Sequence, residues 1–369
     1  MKNLLKGLIK IIYSNWVFAK PIKAEILIYD GFSKIFFDAL FKNRKFSILY
    51  TRFEQVNFYI LIKSLLKYKF KYIKDNYKKE FITAVNPKIV FTSTDNDPSF
   101  YRLKKLVKKP IYISVQNGMR DSLFLQECKK LIRKGIKLES DFSFVFGKNE
   151  KYKLKKIVKS NIQCSGNIIN NLFISKKKNL KKRTKNIFFI SQLVYKMLKY
   201  KNYPINTLHD EKKIFQNLIV YCKKKNYDLT YCCKSEKNIE PILKKIYKSN
   251  DWNYFPRSSL KKTYKKMNKM DLLVFGYSTL GYEGISKGIR GVSFNKNFPI
   301  SGCSKKYKKK GPFWSNNLDY HSLEKKINNV LNFSEERWKR CVKKYSNEIL
   351  IYNPKNSIIK NAFSKILKK

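Results

Sequence analysis

Short, near-continuous apolar runs recur along this 369-residue chain, separated by stretches with helical spacing. Strands of that kind have both faces covered, which narrows the fold to parallel sheets flanked by helices. In the first half the runs are 24–30 (AEILIYD), 45–50 (KFSILY), 88–95 (KIVFTSTD), 111–117 (IYISVQN) and 142–147 (FSFVFG). Helical stretches follow the first two, in FSKIFFDALF and from about Phe58 to Tyr72. A Lys- and Arg-rich run over 174–185 breaks the alternation and reads as a linker. The pattern then restarts with 186–192 (NIFFISQ), 228–235 (DLTYCCKS), 252–255 (WNYF), 271–278 (DLLVFGYS) and 290–295 (RGVSFN). Helices are expected over about 210–224, in IEPILKKIYK, in SLKKTYKKMNKM and in TLGYEGISKG, with a helical tail from Ser322.

The expected fold class is therefore α/β, with two Rossmann-like domains facing a cleft. The expected boundaries are 1–173 for the N-terminal domain, 174–185 for the linker and 186–345 for the C-terminal domain. A helix in 346–369 could pack back on the first domain. Hydrophobic residues make up 43% of the chain, enough to fill two cores.

The formal charge of +55 (Lys+Arg 81, Asp+Glu 26) attracts polyanions: nucleic acid, anionic lipid headgroups or phosphorylated substrates. Lys greatly outnumbers Arg, and the excess runs from Lys2 to Lys369 without forming one arm. That disfavours nucleic-acid recognition, which draws on the bidentate Arg fork. Part of the bias toward Lys, Ile, Asn and aromatics follows from A/T-rich codons. The seven cysteines include no CxxC pair, which fits a reducing cytoplasm, and with only His209 and His321 a His-based metal site is not expected. No apolar run spans a bilayer. The first twenty residues read as a basic amphipathic helix carrying Trp16, able to rest on a membrane surface or to pack on its own domain.

In open parallel sheets ligands bind beyond the carboxyl ends of the strands. Those ends carry Asp30-Gly31, then Thr94-Asp95-Asn96-Asp97, then Gln116-Asn117-Gly118 with Arg120, in the first half. In the second they carry Ser191-Gln192, Lys234-Ser235 and Ser278-Thr279. Turn chemistry alone supplies many Asp, Asn and Gly residues, but it accounts less easily for Gln116, Arg120 and Lys234. The 278–288 segment follows a strand and opens a helix. Ser278 and Thr279 are expected at its N-cap, where free N–H groups and the helix dipole favour phosphate. Gly281 is expected to let the backbone approach a ligand, and Glu283 to accept from ribose hydroxyls. A plain capped helix would look similar. No GxGxxG or GxxxxGK[ST] is present. Asp30, Asp95 and Asp97 are candidate bases, with Glu54 a fourth; structural caps and turns would use the same residues.

These strings together resemble a bacterial family of surface-carbohydrate (O-antigen) biosynthesis proteins with GT-B architecture. The resemblance rests on Ile28-Tyr29-Asp30, Thr51-Arg52-Phe53-Glu54, Asn86-Pro87-Lys88, Thr94-Asp95-Asn96-Asp97, SVQNG at 114–118 with Arg120, Ile190-Ser191-Gln192, STLGYE at 278–283 and Gly311-Pro312-Phe313-Trp314. It runs in order over about 25–320. The 278–288 segment with GPFW is also similar to capsule transferases that use a CMP-activated ulosonic acid.

The resemblance implies a cytoplasmic glycosyltransferase that needs no metal or other cofactor, and the positive charge with the amphipathic N-terminal stretch adds the expectation that it is peripheral on the inner membrane. Ser278, Thr279 and Glu283 would hold a nucleotide-sugar donor, and Arg120 and Lys234 would neutralise its phosphate. Asp30 would be the base, with Asp95 and Asp97 in reserve. The acceptor would be a lipid-linked or other glycan at an anionic membrane surface, with no nucleic-acid partner. Two departures stand out: Cys233-Lys234-Ser235 replaces the usual Gly-Arg-Ser, and Gly288-Ile289-Arg290 replaces Gly-x-Pro. They leave room for a member without activity. A nucleotide-sugar epimerase of the same architecture and a basic nucleic-acid-binding protein are the alternative readings.

Overall fold

A computed structural model describes residues 12–41, 44–52, 54–69, 72–120, 122–173, 185–193, 205–234, 238–296, 307 and 310–367. The chain forms two compact units. The first comprises Met1–Phe146, Glu150–Leu172 and Lys355–Lys369; the second comprises Gly147–Asn149 and Phe173–Pro354.

The first unit opens with the short strand β1 (Asn15–Val17), followed by β2 (Ile26–Tyr29), β3 (Phe46–Leu49), β4 (Gln55–Asn57), β5 (Ile89–Thr92), β6 (Ile111–Val115), β7 (Glu139–Val145) and β8 (Lys159–Cys164). Six of these form one sheet in the order β3-β2-β5-β6-β7-β8, and every pairing is parallel. β2 and β5 are buried at every position, as their unbroken apolar runs require. One face packs Leu27, Val90 and Tyr112 under the helices Ile73–Val85 and Pro98–Leu106. The other packs Ile26, Ile28 and Phe91 against Phe37 of the helix Ser33–Leu40. The terminal helix Ser357–Leu367 completes that second layer, with Phe363 4.5 Å from the Phe41 ring and 6.1 Å from the Phe91 ring.

The expected helix through Trp16 is not found. Residues 1–11 lie outside the described residues, and Asn15–Val17 runs parallel to β4, Trp16 opposite Val56. Trp16 packs edge-on against Phe58, which gives this short extended segment a reason to pair instead of coiling. The helical stretch from Phe58 also ends earlier than expected, at Tyr68, and a separate helix, Ile73–Val85, follows.

The second unit contains β9 (Asn186–Ile190), β10 (Asp228–Cys233), β11 (Asn253–Pro256), β12 (Leu272–Phe275), β13 (Gly291–Phe294) and β14 (Trp314–Ser315). Their order is β11-β10-β9-β12-β13-β14, again all parallel. The chain thus winds outward from β9 to β11, returns to β12 beside β9, and winds outward on the other side. Each unit has one place where the winding reverses: between β2 and β5, and between β9 and β12. The expected linker lies almost wholly outside the described residues. The helix Glu335–Ile349 buries Trp338 and Cys341 and belongs to the second unit, so the return to the first falls at Pro354.

Candidate functional site

The winding reversal leaves an open crevice beyond the strand ends, where a ligand can reach backbone groups on both sides. In the second unit that place is flanked by Ser191-Gln192 after β9 and Ser278-Thr279 after β12.

The β9 side is fastened internally. The Ser191 hydroxyl donates to the Glu211 carboxylate and accepts from the Tyr231 hydroxyl at 2.8 Å and from the Leu193 N–H at 3.0 Å. The Gln192 N–H donates to Glu211 at 3.1 Å. Burial pushes the Glu211 carboxyl above its ordinary range. Ser191 therefore shapes the loop, and Gln192 is the half-buried residue of the pair.

The β12 side is open. Ser278 occupies the N-cap of the helix Thr279–Ser286 with extended backbone, yet its side chain makes no cap bond. Its hydroxyl is fully buried and lacks a hydrogen-bond partner. A buried hydroxyl without a partner is costly, and a ligand anion at the helix N-terminus would satisfy it. Arg257 stands beyond the end of β11, its N–H donating to Cys233 O at 3.0 Å. One guanidinium nitrogen of Arg257, Nη1, is also buried without a hydrogen-bond partner. Lys234 follows β10 and is held below the usual lysine range, first by desolvation and then by the Arg257 charge. Arg257 also acts on Glu283 and Tyr264, so these side chains share one electrostatic neighbourhood.

Glu283 is buried and accepts from the Tyr264 hydroxyl; burial raises its carboxyl above the ordinary range. Lys287, one turn on, places its ammonium 4.3 Å from the Tyr264 ring centre, 5.5 Å from Tyr352 and 5.9 Å from Phe173. Desolvation lowers it to about 8. The expected role of Gly281 is not the one observed. A Cβ there would come 2.3 Å from the Phe275 ring, so the residue is small to seat the helix on β12 and not to admit a ligand. Ser235 lies outside the described residues.

In the first unit the three candidate carboxylates differ sharply. Asp30 sits at φ 73°, and its side chain accepts from the Phe32 N–H at 2.9 Å, the Thr51 hydroxyl at 2.8 Å and the Arg52 Nε at 2.9 Å. Asp95 is buried in an ion pair with Arg120, whose other arm bonds Glu150 at 3.1 Å. Burial pushes Asp95 up to about 6 despite that partner. Arg120 is thus consumed by two carboxylates. Gln116 bridges strand ends, its Oε1 accepting from Phe146 N at 2.8 Å and its Nε2 donating to Gly118 O at 2.9 Å. The Asn117 N–H faces Asp95 at 3.4 Å.

Of the three, Asp97 lines a cavity, which Asp75, paired with Arg102 at 3.1 Å, also borders. Asp97 caps the helix Pro98–Leu106 by accepting from Ser99 N–H at 2.9 Å, and it accepts from the Tyr29 hydroxyl at 2.6 Å. Lys78 Nζ bonds the Tyr29 oxygen at 2.8 Å and Ser99 Oγ at 2.7 Å. Burial lowers Lys78, while Lys78 and the hydroxyl donors hold Asp97 below the carboxylate range against its own desolvation. The cavity measures about 540 Å³ and is bounded by Thr51, Lys74, Lys78, Asp97, Ser99 and Arg102, among others. It sits at the strand ends β2, β3 and β5. Sequence reasoning missed Lys78, Ser99, Arg102 and Arg257. Arg257 lies just past the WNYF run, after Pro256, so the strand-end rule would have found it; Lys78 gives no local signal.

The family model described as "putative O-antigen biosynthesis protein" matches residues 113–367. No curated protein sequence matches the chain. Among solved structures, a "putative UDP-N-acetylglucosamine 2-epimerase" from Listeria monocytogenes superposes with a TM-score of 0.54 at 13% identity, over 94% of this chain and 96% of that one. MnaA from S. aureus, solved with UDP, gives 0.51 at 13% identity over 93% and 96%. Sucrose-phosphate synthase from Thermosynechococcus elongatus gives 0.51 at 10% identity over 93% and 98%. These likenesses show the fold, two Rossmann-like α/β units of the GT-B type.

Proposed function

The chain belongs to the O-antigen biosynthesis protein family, and from that premise we propose that it is a glycosyltransferase of surface-polysaccharide assembly. It transfers a sugar from a nucleotide-activated donor, with a CMP-linked donor as one option, to a lipid-linked or other glycan acceptor at the inner face of an anionic membrane. The observation that carries this reading is a pair of unsatisfied donors beyond the strand ends of the second unit. Ser278 Oγ, at the N-terminus of the helix after β12, and Arg257 Nη1, beyond β11, are buried polar atoms without hydrogen-bond partners, and the Arg257 charge reaches Glu283 on that helix. Such a set suits a phosphate.

In this reading the donor phosphate takes the Ser278 hydroxyl, the first-turn N–H groups of Thr279–Ser286, and the charges of Arg257 and Lys234. Those cations stabilise the charge that grows on the phosphate as the glycosidic bond breaks, so the chemistry needs no resident metal. Glu283, paired with Tyr264, accepts from a ribose hydroxyl in this reading. The acceptor enters the cavity of the first unit, and Asp97, which lines it, takes the acceptor proton. Asp30 and Asp95 hold the surrounding loops.

The test is a thermal-shift screen against CMP, UDP, GDP and CDP at fixed salt. A ligand at a hundred times its dissociation constant adds about 2.7 kcal/mol to a protein that binds it only when folded. Selective stabilisation by one nucleotide, lost in Arg257→Gln, is the expected result. Stabilisation that merely follows phosphate charge and vanishes with salt would defeat the reading. Conversion of the donor without any acceptor would replace it with epimerisation.

A further inference from the structure

The helix Phe58–Tyr68 buries only a narrow stripe, Ile60 and Ser64. Its opposite face carries Phe58, Ile62 and Leu66, spaced four residues apart and all exposed, Leu66 at 81%. That spacing puts them in one row. The β1 segment extends the row: Phe18, 70% exposed, packs at a tilt 5.2 Å from the Phe58 ring, and Trp16 packs edge-on against the same ring at 6.0 Å. Asn57 fixes the arrangement by capping the helix at Ile60 N, 3.0 Å, and bonding Ala19 O at 2.8 Å. An apolar row of this size on an exposed helix marks an interaction surface.

Its border is cationic. Lys20 places its ammonium 5.2 Å from the Tyr59 ring centre. Lys63 lies on the helix flank, and it and Lys67 share one buried carboxylate, Glu80, at 2.9 and 3.1 Å. Lys69 and Lys23 are exposed nearby in sequence. Aromatic and aliphatic side chains flanked by lysines match the boundary between acyl chains and anionic headgroups, which rewards both. The chain then runs from Leu66 to Tyr72, whose side chain borders the cavity of the first unit.

We propose that this face docks on an anionic lipid bilayer and delivers a lipid-borne acceptor to the cavity next to it. The acceptor half of this statement rests on the transferase reading; the docking half does not. Phe18, Phe58, Ile62 and Leu66 enter the acyl boundary, while Lys20 and the exposed Lys23 and Lys69 contact headgroups.

The experiment uses the full chain and vesicles of phosphatidylglycerol with phosphatidylcholine, or of phosphatidylcholine alone, at physiological salt. The triple variant Phe58→Ser, Ile62→Ser, Leu66→Ser keeps the net charge of +55, so it separates insertion from general attraction. Its binding to the anionic vesicles should fall about tenfold or more. Ile35→Ser with Leu123→Ser, which removes exposed apolar groups elsewhere, should bind as the parent does. Should the triple variant fold poorly, Phe18→Ser with Leu66→Ser serves in its place. Brominated acyl chains should quench Trp16 and not the three buried tryptophans, Trp252, Trp314 and Trp338, and Trp16→Phe should abolish the effect. Equal vesicle binding by the variants without quenching would overturn the proposal, as would loss of a dimer in place of lipid binding. Nucleotide-induced thermal shifts should survive in the triple variant. If the parent shows none while vesicle binding behaves as stated, the transferase reading falls and the docking face stands.

Discussion

Gly281 lies directly against the ring of Phe275, so close that a Cβ would sit 2.3 Å from the ring carbons. Gly284, three residues on, would likewise meet Leu273 at 2.2 Å. The two glycines form the stripe on which the helix Thr279–Ser286 beds onto β12, and that close seating presents Ser278 at the strand end. Gly281→Ala should therefore destabilise the second unit by about 1–3 kcal/mol, although Ala favours helix. Pairing it with Phe275→Leu should recover part of the loss, a non-additivity that chemical denaturation of the three variants measures. Additive losses would mean the ring moves aside without cost.

Ser278→Ala should behave in the opposite way. Its hydroxyl is buried without a hydrogen-bond partner, so removing it relieves an unsatisfied group and should leave stability unchanged or slightly raised. Nucleotide-induced stabilisation should nonetheless shrink. A thermal melt with and without ligand separates the two effects; a variant that loses stability without ligand would show that Ser278 is an ordinary cap.

How far the sequence led depended on what each feature needs in order to be seen. β2, β5, β9 and β12 were legible because both of their faces are covered, leaving apolar runs that no amphipathic period imitates. β8 (Lys159–Cys164) escaped because it is a sheet edge with exposed Lys159 and Asn161, and β14 because it has two residues. The helix Ile73–Val85 escaped because its sequence is mostly polar. In the sites, most residues at strand ends and in the helix turn that follows β12 were found, whereas Arg257 after β11 and Lys78, delivered from the middle of a helix, were not. Gly281 shows the remaining limit: composition placed a glycine in the first turn of a helix, but only the packing tells which side of it is crowded.

Arg290, the third residue of Gly288-Ile289-Arg290, has a structural task of its own. Its guanidinium donates to Val330 O at 3.0 Å, to Leu331 O and to Phe333 O at 2.7 Å, and so closes the carboxyl end of the helix Tyr320–Leu331. Val330 O also accepts from the Phe333 N–H at 3.3 Å, so the guanidinium matters most to the Leu331 and Phe333 carbonyls at and beyond the helix end. Arg290→Met should cost about 3 kcal/mol or more, since it leaves buried acceptors unmet, and Arg290→Lys should restore only a fraction because one ammonium cannot reach all three. Equilibrium unfolding of both variants decides it.

Lys287 gives the second unit a pH dependence of definite sign. Its folded value of about 8 lies below the ordinary lysine range, so the unfolded chain binds more protons between about 8 and 10.5. Stability should therefore rise with pH across that window. Lys287→Met, which suits an aromatic cage without a charge to desolvate, should be more stable than the parent at pH 7 and should lose most of the rise. Denaturation at pH 7 and 9.5 provides the comparison; parallel curves for both proteins would exclude Lys287 as the source.

Asp30 and Asp97 each accept three hydrogen bonds, so the choice of base follows from which of them faces the cavity. Asp30 accepts three hydrogen bonds, one of them within an ion pair, in a left-handed backbone conformation, so Asp30→Ala removes a fastening of the loop after β2 and should lower stability by about 2–4 kcal/mol. Asp97 lines the cavity, and Asp97→Asn keeps the shape and the helix cap while removing basicity. Turnover should drop by about 10²–10⁴, with donor affinity unchanged. Lys78→Met should raise the acceptor KM more than it lowers kcat, because Lys78 orders the hydroxyls around Asp97 without being the base. If Asp97→Asn keeps full turnover and Asp30→Asn, folded, loses it, the proton leaves through the carboxylate after β2 and the cavity serves binding alone.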